Sequence, residues 1–259
     1  MELGDEQRAA WERDGCLVLR QALTEARVDE IRSWVGEIAG WAERGGPGLY
    51  HFEQTEAGPT VARSEDLVGH HAGFRALLTQ GLIPELAGAL LGEPAVLYKE
   101  KVNYKQPGGG GFAPHQDAPA YRFVAHHVSV MVPIDPATRA SGCLWVAAGH
   151  EQGLLPTEGL KGLRADIVES LEWRPVELAP GDLLWFSSYV PHYSDTNTTD
   201  TPRRALYLTY NAGSAGDFRT TYYADKVAEF DALDGPSERA RLSITDDFLG
   251  RAVEPAEHG

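Results

Sequence analysis

The strongest constraint on the fold is a change of period along the chain. Between residues 95 and 211 the runs AVLYKEKVNYK, HVSVMVPI, CLWVA, PVELA, DLLWFSSY and RALYLTYN follow one another, separated by Gly, Pro, Asp and Asn. Short runs rich in β-branched and aromatic residues, punctuated in this way, read as strands. So many strands in succession must bury their apolar faces against one another, in a sandwich or a barrel.

The flanking segments have a different period. In TEARVDEIRSWVGEIAGWAE, Val28, Ile31, Val35 and Ile38 recur at three- and four-residue steps behind Thr24, which predicts an amphipathic helix with a threonine N-cap. GDEQRAAWERDG has helical spacing, CLVLR after it reads as a short strand, and RALLTQGLIPELAGALLG reads as helix broken near Pro84 and stopped by Gly92. ADKVAEFDAL and PSERARLSI return to helix before a frayed end. The expectation is one domain over 1–259, mainly β with helices. Residues 1–92 form mostly helical support, 93–215 the barrel core and 216–259 a helical tail.

Composition narrows the partners. The formal charge is −15, from 23 basic and 38 acidic side chains, and such a surface repels nucleic acid and anionic membrane. An anionic small substrate would therefore need a local cationic patch. No stretch is long and apolar enough for a membrane span, and the charged N-terminus lacks the apolar core of a secretory signal. The two cysteines, Cys16 and Cys143, lie far apart in apolar surroundings and read as reduced thiols of a cytoplasmic protein.

The segment FAPHQDAPAY carries the chemistry. In an extended segment His115 and Asp117 project to one face while Gln116 points away, and Pro114 favours extension just before them. Two ligands hold a metal poorly, so a third must come from His51, His70, His71, His126, His127, His150, His192 or His258. His192 is the best placed, near a strand end after PGDLLWFSSYVP. Two imidazoles and one carboxylate on one side of an ion form the facial triad of non-haem Fe(II) oxygenases. A zinc hydrolase of the H-E-x-x-H type is excluded, because the residue four after His150 is Leu154.

Taken together, PHQD, GCLWVAAGH, APGDLLWFSSYVPH and PRRALYLTYN resemble the phytanoyl-CoA dioxygenase-like family of Fe(II)/2-oxoglutarate oxygenases, and RDGCLVLRQALT resembles its usual start. The resemblance implies a double-stranded β-helix, a jelly-roll, with iron held by His115, Asp117 and His192 and with 2-oxoglutarate and O2 as co-substrates. It implies that Arg203, eleven residues after His192, clamps the distal carboxylate of 2-oxoglutarate. It also puts Ser194 and Met131 in the co-substrate pocket. A guanidinium fork suits a carboxylate. Related halogenases replace the metal carboxylate with a small residue, so Asp117 favours hydroxylation. HFEQTEAGP, LYKEKVNYKQPGGGGFAPHQDAPAYRF and YVPHYSDTNTTDTPRRALYLTYN resemble the branch that hydroxylates 2-aminoethylphosphonate and its N-methylated relatives at the carbon next to phosphorus.

In YKEKVNYK, alternation puts Lys99, Lys101 and Asn103 on one face. Spacing alone fits a solvated edge strand as well as an inward cationic patch, and the resemblance favours the inward one, with Lys101 and Asn103 holding a phosphonate or carboxylate. Tyr121 and Arg122 are candidate substrate-side residues or rim packing. His127 shares a face with Ser129 and Met131, either at the pocket rim or as a structural histidine. His51, His70 and His71 read as capping or surface groups, His150 as a local hydrogen-bonding residue, and Trp145, Trp185 and Phe186 as core. PGGGG reads as a flexible bend with lid mobility, since no helix follows as a phosphate-binding loop requires. The competing readings are a tailoring hydroxylase of an amino acid or secondary metabolite, and a cupin-like module that binds a metal without oxidising anything.

Overall fold

A computed structural model of the protein describes residues 3–55, 58–149, 153–158 and 162–234. Along the chain run α1 (Asp5–Asp14), β1 (Cys16–Leu19), α2 (Glu25–Glu43), β2 (Leu49–Thr55), β3 (Gly58–Glu65), α3 (Ala72–Thr79), α4 (Leu82–Leu91) and β4 (Ala95–Lys105). There follow β5 (Phe112–His115), β6 (Val128–Pro133), β7 (Leu144–Val146), β8 (Thr157–Glu158), β9 (Gly162–Leu163) and α5 (Ala165–Ser170). The last elements are β10 (Arg174–Val176), β11 (Leu183–Ser187), β12 (His192–Ser194), β13 (Arg203–Ala212) and α6 (Arg219–Asp234).

The described strands form two antiparallel sheets. The major sheet has the order β1-β11-β6-β13-β4-β3-β2 and the minor sheet β10-β7-β12-β5-β9-β8. They face each other as the two walls of a jelly-roll, with side chains of both lining one cavity, rather than closing into a continuous barrel. Helices α1 to α4 cover the other side of the major sheet. Val28, Ile31, Val35 and Ile38 of α2 are all buried, packed in one cluster with Val102, Val130, Trp185, Leu206 and Leu208. Each such side chain contributes about 1.5–3 kcal/mol by leaving water. Thr24 caps α2 by accepting a hydrogen bond from the Arg27 amide at 3.3 Å. A second apolar cluster, including Met131, Leu144, Phe186 and Tyr207, fills one end of the space between the sheets.

Several expectations need correction. Residues 49–65 are not helical support: β2 and β3 form a hairpin that extends the major sheet through β3–β4 pairing. Its pattern is not the usual alternation of apolar and polar, because His51, Glu53 and Glu65 are buried polar groups rather than surface ones. The helix break falls at Gln80–Gly81, with Gly81 at φ 73°, and Pro84 sits inside the first turn of α4. A proline is tolerated there because first-turn amides have no intrahelical acceptor. Trp145 is only partly buried and stacks on Tyr193 at 5.7 Å, whereas Trp185 and Phe186 are core. Cys16 and Cys143 are free thiols. No helix among the described residues is long and apolar enough to cross a membrane. PSERARLSI, His150 and His258 lie outside the described residues.

Candidate active site

His115 and His192 are direct cross-strand partners, one at the end of β5 and the other at the start of β12. Their rings lie 4.3 Å apart. Asp117 joins them in a way the extended reading did not foresee. The strand ends at His115, and Asp117 has φ −74° and ψ −27° as the chain enters a tight turn. That turn brings the carboxylate to 3.7 Å from His115 Nε2. One ligand atom from each of His115, Asp117 and His192 falls within 4.8 Å of the others. Gln116 points away and is consumed elsewhere, donating to the carbonyls of Gly153 and Tyr189 and accepting from the Leu155 amide.

The protonation states suit a cation. Nδ1 of His115 faces the Ala113 carbonyl at 2.7 Å, and Nδ1 of His192 faces that of Val190 at 3.0 Å. Each ring therefore donates through Nδ1 and keeps its Nε2 lone pair toward the site, the arrangement metal-binding histidines use. Burial and the nearby His115 lower His192 to about 4, so it is neutral at pH 7. Burial alone would raise the Asp117 carboxyl, but Lys99, His192, Lys101 and His115 hold it well below the usual carboxylate range. Two imidazoles with their Nε2 atoms turned to the site and one ionised carboxylate fit Fe(II).

One face of β4 forms the cationic floor of the cavity. Lys99, Lys101 and Asn103 line it with Phe112, Tyr121, Ser129, Tyr207 and Thr209, beside the three candidate ligands. Burial, Arg63 and Lys99 lower the Lys101 amine well below its ordinary value. A smaller adjoining space shares Asn103 and Phe112 and is also lined by Lys105 and Arg203. Arg203 is 1% exposed. It donates to the Tyr207 hydroxyl at 3.3 Å and to the Gly142 carbonyl at 3.0 Å, and its Nε has no hydrogen-bond partner. An orphaned, fully buried guanidinium nitrogen fits an incoming carboxylate.

Lys105 was missed at the sequence level. It is the direct cross-strand partner of Arg203 and donates to Ser194 Oγ at 2.9 Å and to the Asp195 carbonyl. Burial and the neighbouring Arg203 push its amine well down. The signal was present, since Lys105 has the same parity in YKEKVNYK as Lys99, Lys101 and Asn103. Arg63 and Tyr222 near the cavity were missed for another reason: β3 and α6 carry no motif, and only packing brings them there.

Other candidates fall elsewhere. Met131 is fully buried in the inter-sheet cluster, level with Tyr207, and not at the cavity surface. Arg122 points outward and pairs with Asp225 of α6 at 3.1 Å, while its neighbour Tyr121 points in. His127 is a structural histidine, 0% exposed between Tyr98 and Tyr121. His51 is buried 3.4 Å from Glu65, while His71 caps α3 by accepting from the Phe74 amide. The glycine run is pinned rather than lid-like. The Gly108 amide bonds to the Asn197 carbonyl, and the Gly110 amide bonds to Glu53. Gly111 packs so closely on the Ser194 carbonyl that a Cβ would overlap it.

A jelly-roll with two histidines and a carboxylate converging between its sheets defines the class of non-haem metal oxygenases. The profile of the phytanoyl-CoA dioxygenase (PhyH) family matches residues 11–205, and the chain belongs to that family; it is a dioxygenase. It is 46% identical over 254 residues to a methylphosphonate hydroxylase of Gimesia maris, covering 97% of this chain and 98% of that one. It is 39% identical over 246 residues to a 2-aminoethylphosphonate dioxygenase of an uncultured bacterium, covering 93% and 92%. The crystal structure of EctD from S. alaskensis with 2-oxoglutarate and 5-hydroxyectoine shares the fold at TM-score 0.70. It is 22% identical, over 82% of this chain and 77% of that one.

Proposed function

We propose that the protein is an Fe(II)- and 2-oxoglutarate-dependent dioxygenase that hydroxylates a small organophosphonate at the carbon next to phosphorus. Its substrates belong to the class of 2-aminoethylphosphonate and methylphosphonate, on which the relatives named above act. The observation that carries this reading is the meeting of His115, Asp117 and His192 directly beside buried Lys99 and partly buried Lys101. A protein of net charge −15 has concentrated cations where an anion must enter.

In this reading His115, Asp117 and His192 hold Fe(II). Arg203, with Lys105 and Ser194 beside it, receives the distal carboxylate of 2-oxoglutarate. When bound, the iron with 2-oxoglutarate and O2 supplies the oxidation of a C–H bond to an alcohol, with release of succinate and CO2. The chain's own contribution is placement. Lys99, Lys101 and Asn103 hold the phosphonate and present the adjacent carbon to the metal side of the cavity. The Nδ1 bonds to Ala113 and Val190 fix the two imidazoles in one tautomer and one orientation. Tyr121 and the sheets around the cavity exclude water, so that oxidation is directed at the bound carbon. A small-molecule substrate is the partner. The two free thiols support a cytoplasmic location as part of the same proposal.

The test is phosphonate-dependent succinate release by the iron-loaded protein under air. Release with methylphosphonate or 2-aminoethylphosphonate supports the reading, and release only with amino acids or other metabolites points to a tailoring hydroxylase instead. His115→Ala, Asp117→Ala and His192→Ala should each remove turnover while keeping the far-ultraviolet dichroism of the parent. Turnover retained by all three rules out the metal triad.

A further inference from the structure

The phosphonate reading covers a bare methyl substrate and one that carries an ammonium on the next carbon. We propose that the cavity discriminates between them. Lys99 repels a substrate ammonium, so phosphonates with a small uncharged substituent are preferred. The inference rests on the phosphonate reading above.

Neutral oxygens can accept from a buried ammonium, but only a carboxylate or an open aromatic face offsets its charge strongly. Among the described residues lining the cavity, the only carboxylate is Asp117, which is one corner of the metal triad. Glu65, buried on β3, already lies within ion-pair distance of Lys226, Arg63 and His51. Each aromatic ring of the lining already has one of the chain's own cations over it. Lys99 Nζ stands 4.3 Å from the centre of the Tyr121 ring, and Lys101 Nζ stands 5.1 Å from that of Tyr207. The Arg63 guanidinium lies 5.5 Å from the centre of Phe112. These three rings are the aromatic residues that line the cavity among the described residues.

The position of Lys99 is built in. A register shift in β4–β13 pairs Lys99 with Thr209 and Leu97 with Tyr210, which leaves Tyr98 as the extra residue of a bulge. Tyr98 then packs against Tyr121 at 5.4 Å and against Tyr222 of α6 at 5.1 Å, behind the lysine. Tyr222 lies outside the 11–205 stretch that the family profile matches, and its ring is 5.9 Å from Lys99 Nζ. Lys99 thus has two effects: it attracts the phosphonate and repels a second cation. Like charges about 6 Å apart in a partly screened interior repel enough for a penalty on the order of a hundredfold in kcat/KM.

Propylphosphonate and 2-aminoethylphosphonate are nearly equal in size and differ in charge, so their ratio isolates the effect. Succinate release by the iron-loaded full chain is measured with methyl-, propyl- and 2-aminoethylphosphonate. The wild type should favour propyl over aminoethyl by about a hundredfold, and Lys99→Met should lower that ratio at least about tenfold. Affinities of the same pair, measured by anaerobic calorimetry on Lys99→Met and Lys99→Gln, give the ratio even where turnover is lost. A wild-type ratio of one or below overturns the inference while the phosphonate reading stands. So do variants that retain the wild-type ratio. A wild type that oxidises none of the three refutes the phosphonate reading itself.

Discussion

Replacing Arg203 by methionine separates a co-substrate role from a structural one. The guanidinium is buried, keeps one nitrogen unbonded, and faces Lys105 across the β4–β13 ladder. Two neighbouring buried cations are unfavourable, so an apolar side chain of similar length should leave the co-substrate-free protein as stable or more stable. With 2-oxoglutarate bound the balance reverses. Hydrogen bonds to a charged group are worth about 1.5–3 kcal/mol each. Losing a two-pronged contact, partly offset by Lys105, removes about 3 kcal/mol, or on the order of a hundredfold in affinity. Succinate release against 2-oxoglutarate concentration should show an apparent KM raised by that factor, with the KM for the phosphonate little changed. Thermal unfolding without 2-oxoglutarate should move by only a few degrees, and the stabilisation that 2-oxoglutarate gives the anaerobic iron-loaded parent should vanish. An unaltered 2-oxoglutarate dependence would refute the reasoning, as would a variant that unfolds alone yet binds the co-substrate normally.

Three further outcomes follow from other parts of the molecule. His127 is fully buried with neither ring nitrogen bonded, and burial and Lys99 lower it to about 3. The unfolded chain binds its proton from about pH 6.5 downward while the folded one does not, so stability falls as pH drops from 6.5 to 3. The loss is about 3 kcal/mol by pH 4. Urea titrations of His127→Phe should show a shallower acid decline, and parallel declines would exclude His127 as the source. Gly111→Ala forces a methyl group onto the Ser194 carbonyl where β5 meets β12. It should destabilise by about 2 kcal/mol or more and weaken iron binding with it, read by denaturant midpoint and metal titration. Arg219 ties α6 to Asp66 and to buried Glu100. Arg219→Ala should therefore cost about 3–5 kcal/mol by leaving the Glu100 carboxylate uncompensated, and a midpoint within experimental error of the parent would contradict that.

What could be read along the chain divides by the range of the interaction. The six strand runs between 95 and 211 all appear, because alternation and turn residues act over a few positions. The stripe of α2 and its threonine cap are equally local. The hairpin at 49–65 was illegible for the converse reason. Its buried faces carry His51, Glu53 and Glu65 instead of an apolar alternation, and Glu65 takes a cation from α6, Lys226, a long way along the chain. Asp117 shows the same division within the site. Its pairing with His115 was visible as spacing, but the convergence comes from a turn and not from the pleat of a strand.

By itself, the sequence determined the β-rich architecture, the identity of the three candidate ligands and the need for a local patch of positive charge. These follow from residue type, period and total charge, which are properties of the chain whatever its path. Only the tertiary structure decided that Lys105 stands opposite Arg203, that Arg122 turns outward while Tyr121 turns in, and that α6 lays Tyr222 beside Lys99. Those placements depend on strand register, on one bulge and on the docking of a helix, and each is set by contacts between segments that no short window of sequence contains.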